Sequence, residues 1–143
     1  MFKFRLAKVQ RLREHKEKIC LEKVENCVSQ FNQALKKKKE MKYKIVLLEN
    51  DFSKILSGVI SPDEIKLYRN YLTYQYKLLK LHEEVVAEKK QNLEAAKQKL
   101  IQAMKERKII DKLHEKQYLR YIEEENKREQ NLQDEMAINI KRR

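Results

Sequence analysis

Only one glycine and one proline occur in 143 residues, and they stand four positions apart as Gly58 and Pro62. Tight turns draw on Gly, Pro, Asn and Asp for backbone angles that other residues resist. A chain so short of the first two can build few turns, which argues against a compact core of many elements. The sequence around them, Ser57-Gly58-Val59-Ile60-Ser61-Pro62-Asp63-Glu64, reads as the end of one helix and the start of the next. Gly58 suits the left-handed conformation that closes a helix. Ser61 can cap the following helix, Pro62 fits its first position, and Glu64 completes a capping box.

The hydrophobic spacing agrees. Steps of four and three from Cys20 meet Val24, Cys27, Phe31, Ala34, Lys38, Met41, Ile45, Leu48, Phe52, Ile55 and Val59, all apolar except Lys38. A period of about 3.5 sustained over several heptads marks a left-handed coiled-coil seam. Before Cys20 the stripe shifts to Phe2, Leu6, Val9, Leu12 and Ile19, which reads as helix with a local irregularity. After Pro62 a second seam runs from Ile65 and Tyr68 through Gln75, His82, Lys89 and Leu93 to Arg107 and Ile110.

The expected fold is therefore all-α, a long antiparallel two-helix coiled coil (a helical hairpin), forming a single domain over 1–143. Helix 1 is expected at about 3–57, the turn at about 58–61 and helix 2 at about 62–122. Folding about residue 60 sets position i opposite about 120 − i. The charged tail 123–143 then has no partner and would fray or fold against something else.

Composition narrows the function. Charged residues make up 39% of the chain, and 34 Lys/Arg against 22 Asp/Glu leave a net charge of +12. The densest cluster is Lys36–Lys39 with Lys42 and Lys44. Such a surplus favours acidic partners of protein, lipid or nucleic acid. One glycine cannot form a phosphate-binding loop, and His15, His82 and His114 lack ligands at metal spacing. A coiled coil has no concave pocket in which to tune a carboxylate. An enzyme, a cofactor, a metal site and a small-molecule substrate are not expected. Cys20 and Cys27, one heptad apart, lie about 10 Å apart along a helix, too far for a disulfide. The start of the chain lacks the apolar core of a signal peptide, and the longest aliphatic run, Ile45–Leu48, cannot span a bilayer. A cytoplasmic protein is expected.

One feature exceeds what a two-helix coil needs. Leu67, Tyr71, Tyr74, Leu78, Leu81 and Val85 form a second complete stripe beside the seam of helix 2, with Tyr76 adding aromatic density. One partner helix covers one narrow stripe. The second stripe either closes a dimer or larger bundle, or receives a different protein, and tyrosine-rich surfaces favour the latter.

The segments Phe4-Arg5-Leu6-Ala7-Lys8-Val9-Gln10-Arg11-Leu12-Arg13-Glu14 and Glu106-Arg107-Lys108-Ile109-Ile110-Asp111-Lys112-Leu113 resemble the bacterial flagellar export protein FliJ family. Length, hairpin position and basic charge agree along the whole chain. The resemblance implies a coiled coil similar to the shaft of rotary ATPase γ subunits. It implies three partners in flagellar type III protein export: the hexameric export ATPase, which it would stimulate, the large membrane subunit of the export gate, and export chaperones, which it would escort. Motility would depend on it, and it would sit peripherally at the inner membrane beneath the flagellar basal body. The resemblance carries the ATPase contact onto Phe4, Arg5, Leu6, Val9, Arg107, Lys108, Lys112 and Leu113. It carries the gate contact onto Tyr71, Gln75, Leu78 and His82, to which the stripe adds Tyr74 and Leu81. The competing reading is a basic coiled-coil arm that binds RNA or DNA through lysines and aromatics. Lysine run and tyrosine stripe lie on opposite helices and the aromatics keep heptad phase, which weighs against nucleic acid.

Overall fold

The computed structural model describes residues 1–142 and forms a helical hairpin with 92% helix. Helix α1 spans Ala7–Leu56 and α2 spans Pro62–Arg142, 50 and 81 residues long. Lys, Glu, Leu, Gln and Ala, which lose little freedom in a helix, supply most of both.

The turn is built from side chains of its own. Ser57 Oγ donates to the Lys54 carbonyl at 2.6 Å and the Gly58 N–H donates to the Ile55 carbonyl at 3.0 Å, closing α1. Ser61 Oγ accepts the Glu64 N–H at 3.3 Å, which is the expected cap of α2. The expectation for Gly58 is corrected: no glycine among the described residues has positive φ. A tightened last turn and the Ser57 hydroxyl already satisfy carbonyls that a left-handed residue would otherwise serve. A Cβ on Gly58 would meet the Ile55 oxygen at 3.6 Å, an ordinary contact. Gly58→Ala should therefore leave stability unchanged or raise it by about 0.4–1 kcal/mol, by restricting the unfolded chain. A thermal melt decides, and a clear loss would show that the left-handed conformer is used.

The chain divides into two compact units. In the unit Leu21–Lys99, Ala34, Ile45 and Leu93 are buried, and Val24, Cys27, Phe31, Met41, Leu48, Phe52 and Ile55 are half-buried. That is the expected seam, apart from Val59, which is fully exposed because α1 ends before it. Lys38 holds its seam position half-buried, a place a lysine tolerates because its long stem can cover apolar surface while the charge stays in water. Phe52 packs on Tyr68 with ring centroids 5.6 Å apart, and Lys89 Nζ donates to Gln30 Oε1 at 3.2 Å. Both pairs fall within one residue of the 120 − i relation.

The second unit joins Met1–Cys20 to the chain from Leu100 onward, with Cys20 and Ala103 buried. Here the shifted stripe is corrected. Leu12 is 67% exposed and Ile19 is also exposed. The heptad instead continues in phase from Cys20 through Glu17, Arg13, Gln10 and Leu6, all half-buried. Three of those four side chains are polar, so hydrophobicity alone could not trace them. Helix α2 continues beyond the expected end near residue 122, through Arg142. It is rich in helix formers and carries an Arg128–Glu125 pair one turn apart at 3.5 Å. Arg143 lies outside the described residues.

Candidate functional site

Two surfaces hold the residues singled out from the sequence. The first lies in the unit Leu21–Lys99. Tyr71, Tyr74 and Leu81 are 43%, 56% and 55% exposed, and Leu67 and Val85 are exposed beside them. Leu78 and His82 are half-buried. The seam does not consume this stripe. Gln75 is different: it is 3% exposed, and its Oε1 has no hydrogen-bond partner. It occupies a seam position flanked by Leu72 and Leu79, so a docking protein cannot reach it while the hairpin is closed. A shallow hollow beside the stripe is lined by Leu48, Leu67, Tyr68 and Tyr71, and another by Lys37, Glu40, Met41, Lys44 and His82. The second hollow brings lysines of α1 beside His82, a meeting that no single-helix pattern reveals.

The second surface lies in the other unit. Phe4, Leu6, Val9, Arg107 and Leu113 are half-buried, while Arg5, Lys108 and Lys112 are exposed. Phe4 packs edge-on against His114 with centroids 4.7 Å apart, and Phe2 contacts the rings of His114, Tyr118 and Tyr121. These contacts tie the residues before α1 onto α2.

Arg107 is not a free cation. It donates to Glu17 across the helices and, at 2.6 Å, to Asp111 one turn on. Gln10 Nε2 donates to Asp111 at 3.0 Å. Arg13 and Lys16 both reach Glu106, at 2.8 and 3.1 Å. The hydrogen bond from Lys16 is the main cause that holds the Glu106 carboxyl below its ordinary range. Gln10, then Arg107, do the same for Asp111, and Glu17, then Asp111, raise the Arg107 guanidinium. Sequence reasoning missed this network because it sought apolar residues at positions that charged ones fill.

Carboxylates with depressed values stabilise the folded form above their unfolded range and lose that contribution as pH falls through the folded value. Acidification below the ordinary carboxylate range should therefore loosen this unit, and more gently in high salt, since the pairs are partly exposed. Amide protection factors, taken against the intrinsic exchange rate at each pH, should fall at residues 7–20 and 100–113 on acidification while Ile45 and Leu93 stay protected. A uniform fall in protection throughout the chain would show that the network contributes nothing local.

Among the described residues no helix is long and apolar enough to cross a membrane, and no cluster of His, Cys, Asp and Glu could hold a metal ion. Cys20 and Cys27 are free thiols, the first buried. A family model described as the flagellar FliJ protein matches residues 2–143. The chain belongs to the flagellar FliJ family. Membership makes it a component of the type III export apparatus. Among solved structures, a Chlamydia trachomatis protein described as a YscO homologue is similar at 20% identity, covering 96% of this chain and 93% of that one, with a TM-score of 0.47. No curated protein matches the chain. In this FliJ-family protein the stripe stays largely exposed, while the second surface mixes half-buried Phe4, Leu6, Val9, Arg107 and Leu113 with exposed Arg5, Lys108 and Lys112.

Proposed function

We propose that this protein is a non-enzymatic adaptor of flagellar export with two docking surfaces. The Phe4–Leu113 surface engages and stimulates the export ATPase ring, and the tyrosine stripe contacts the large subunit of the export gate. Export chaperones are further partners, and the protein works beneath the inner membrane at the basal body. The observation that carries this reading is the exposed stripe: a complete heptad face of Tyr and Leu that the hairpin does not need. Exposed aromatic and large apolar anchors are where interface energy concentrates.

On the ATPase side the contact falls to the cations that are free. Arg5, Lys108 and Lys112 are exposed, whereas Arg107 is held by Glu17 and Asp111. Lys108→Glu with Lys112→Glu should weaken binding of the purified chain to the ATPase by about tenfold at low salt and leave gate binding unchanged. Titration against each partner measures both. Equal ATPase affinity for both forms would remove this surface from the proposal. The nucleic-acid arm gains no specific support, because the Leu and Val members of the stripe offer a base nothing to stack on.

A further inference from the structure

The reading above leaves open what kind of element lies on the stripe. We propose that it is an acidic amphipathic helix, laid along α2 as a third helix of a local bundle. This rests on the stripe being a docking face. The stripe alternates steps of four and three from Leu67 to Val85 and is exposed over most of its length. A line with that period stays straight only against another helix that supercoils with it. A loop or a strand would match two anchors and lose the third.

Charge gives the partner's sign. The stretches 35–53 and 66–85, which carry and face the stripe, hold ten Lys/Arg against five carboxylates, Glu40, Glu49, Asp51, Glu83 and Glu84, a net positive surround. Lys77 is exposed on the outer edge of the stripe, three residues after Tyr74 and four before Leu81, and Lys66 and Lys80 are exposed further round α2. On the inner edge Lys37, Lys44 and Leu48 recur seven and four residues apart, so they share one flank of α1. Those lysines line the hollow with His82, and Leu48 lines the one with Tyr71. An apolar floor edged with lysine fits a helix that has Leu at its inward positions and Glu beside them. A second copy of this chain would bring the same basic edges against each other, and like charges repel. RNA would satisfy the lysines but would leave Leu67, Leu81 and Val85 without a counterpart.

The test uses the full chain and a labelled synthetic peptide of about four heptads, with Leu at the core positions and Glu flanking them. Controls are the same composition scrambled, the same heptads flanked by Lys, and a single-stranded RNA. The acidic heptad peptide should bind, followed by fluorescence anisotropy, and gain helix by circular dichroism. Affinity should fall on the order of tenfold for Lys44→Glu with Lys77→Glu, and at least as much for Tyr74→Ala with Leu81→Ala. Equal binding of the scrambled peptide, RNA binding indifferent to Tyr74 and Leu81, or dimerisation through the stripe would each overturn the proposal. Gate binding separates it from the reading beneath. If Tyr71→Ala with Leu78→Ala loses the gate while the lysine reversal keeps it, docking stands and the acidic helix fails. If neither variant changes gate binding, docking itself fails.

Discussion

A strain carrying Tyr71→Ala and Leu78→Ala should lose most of its swimming on soft agar while the purified variant keeps its helix content. Tyr71 is 43% exposed and Leu78 half-buried, and neither lies on the seam that joins the helices. Their removal exposes no core and leaves no buried polar group unpaired. The fold should therefore survive. Anchors of this kind are worth about 2 kcal/mol each at an interface, so losing two should reduce affinity by well over tenfold. Binding to the export ATPase should persist, because Phe4, Lys108 and Lys112 belong to a different unit. If the variant unfolds, the stripe is core. If it folds and the cells swim normally, the stripe is not where the gate docks.

Gln75→Leu should stabilise the hairpin, by about 1–3 kcal/mol, the usual penalty of a buried polar group left unpaired. Gln75 is 3% exposed and its Oε1 accepts no hydrogen bond. Leucine, shorter by one bond but of similar volume, would occupy the same seam position with no polar atom to desolvate. The melting temperature should rise and swimming should be unaffected. A fall on substitution would show that the amide has a partner worth keeping. Unchanged stability with lost motility would return Gln75 to the docking surface.

Much of the fold is legible in the residues. The lone Gly58 and Pro62 bracket the turn, and the four-three spacing from Cys20 to Ile55 fixes which side chains meet. The pairing of Phe52 with Tyr68 follows from those two facts. Legibility fails where apolar spacing is the only guide. Gln10, Arg13 and Glu17 keep the heptad phase but are invisible to a search for hydrophobic residues. Counting back from Cys20 by three and four, whatever the residue, would have found them. Exposure of the Tyr71 stripe could be inferred because one helix cannot bury two lines of side chains. The closure of Gln75 follows from its place on the second seam, whereas the capture of Arg107 by Glu17 and Asp111 could not be inferred, since it depends on distances across the hairpin. The gate and ATPase assignments rest on family resemblance together with this exposure pattern.

The single short turn also gives folding a direction. Near it, Tyr76 meets Glu49 across a separation of 27 residues, whereas Gln10 reaches Asp111 across 101. Loop-closure entropy grows with separation, so the early contacts are those beside the turn, and each one closed shortens the loop for the next. During synthesis α1 is complete long before its last partners exist. The polar pairs of Gln10, Arg13 and Glu17 then form late, followed only by the ring contacts of Phe4 and Phe2, and these polar pairs expose little apolar surface while they wait. A chain that zips from one end can leave its far end charged and soluble until the partner helix arrives.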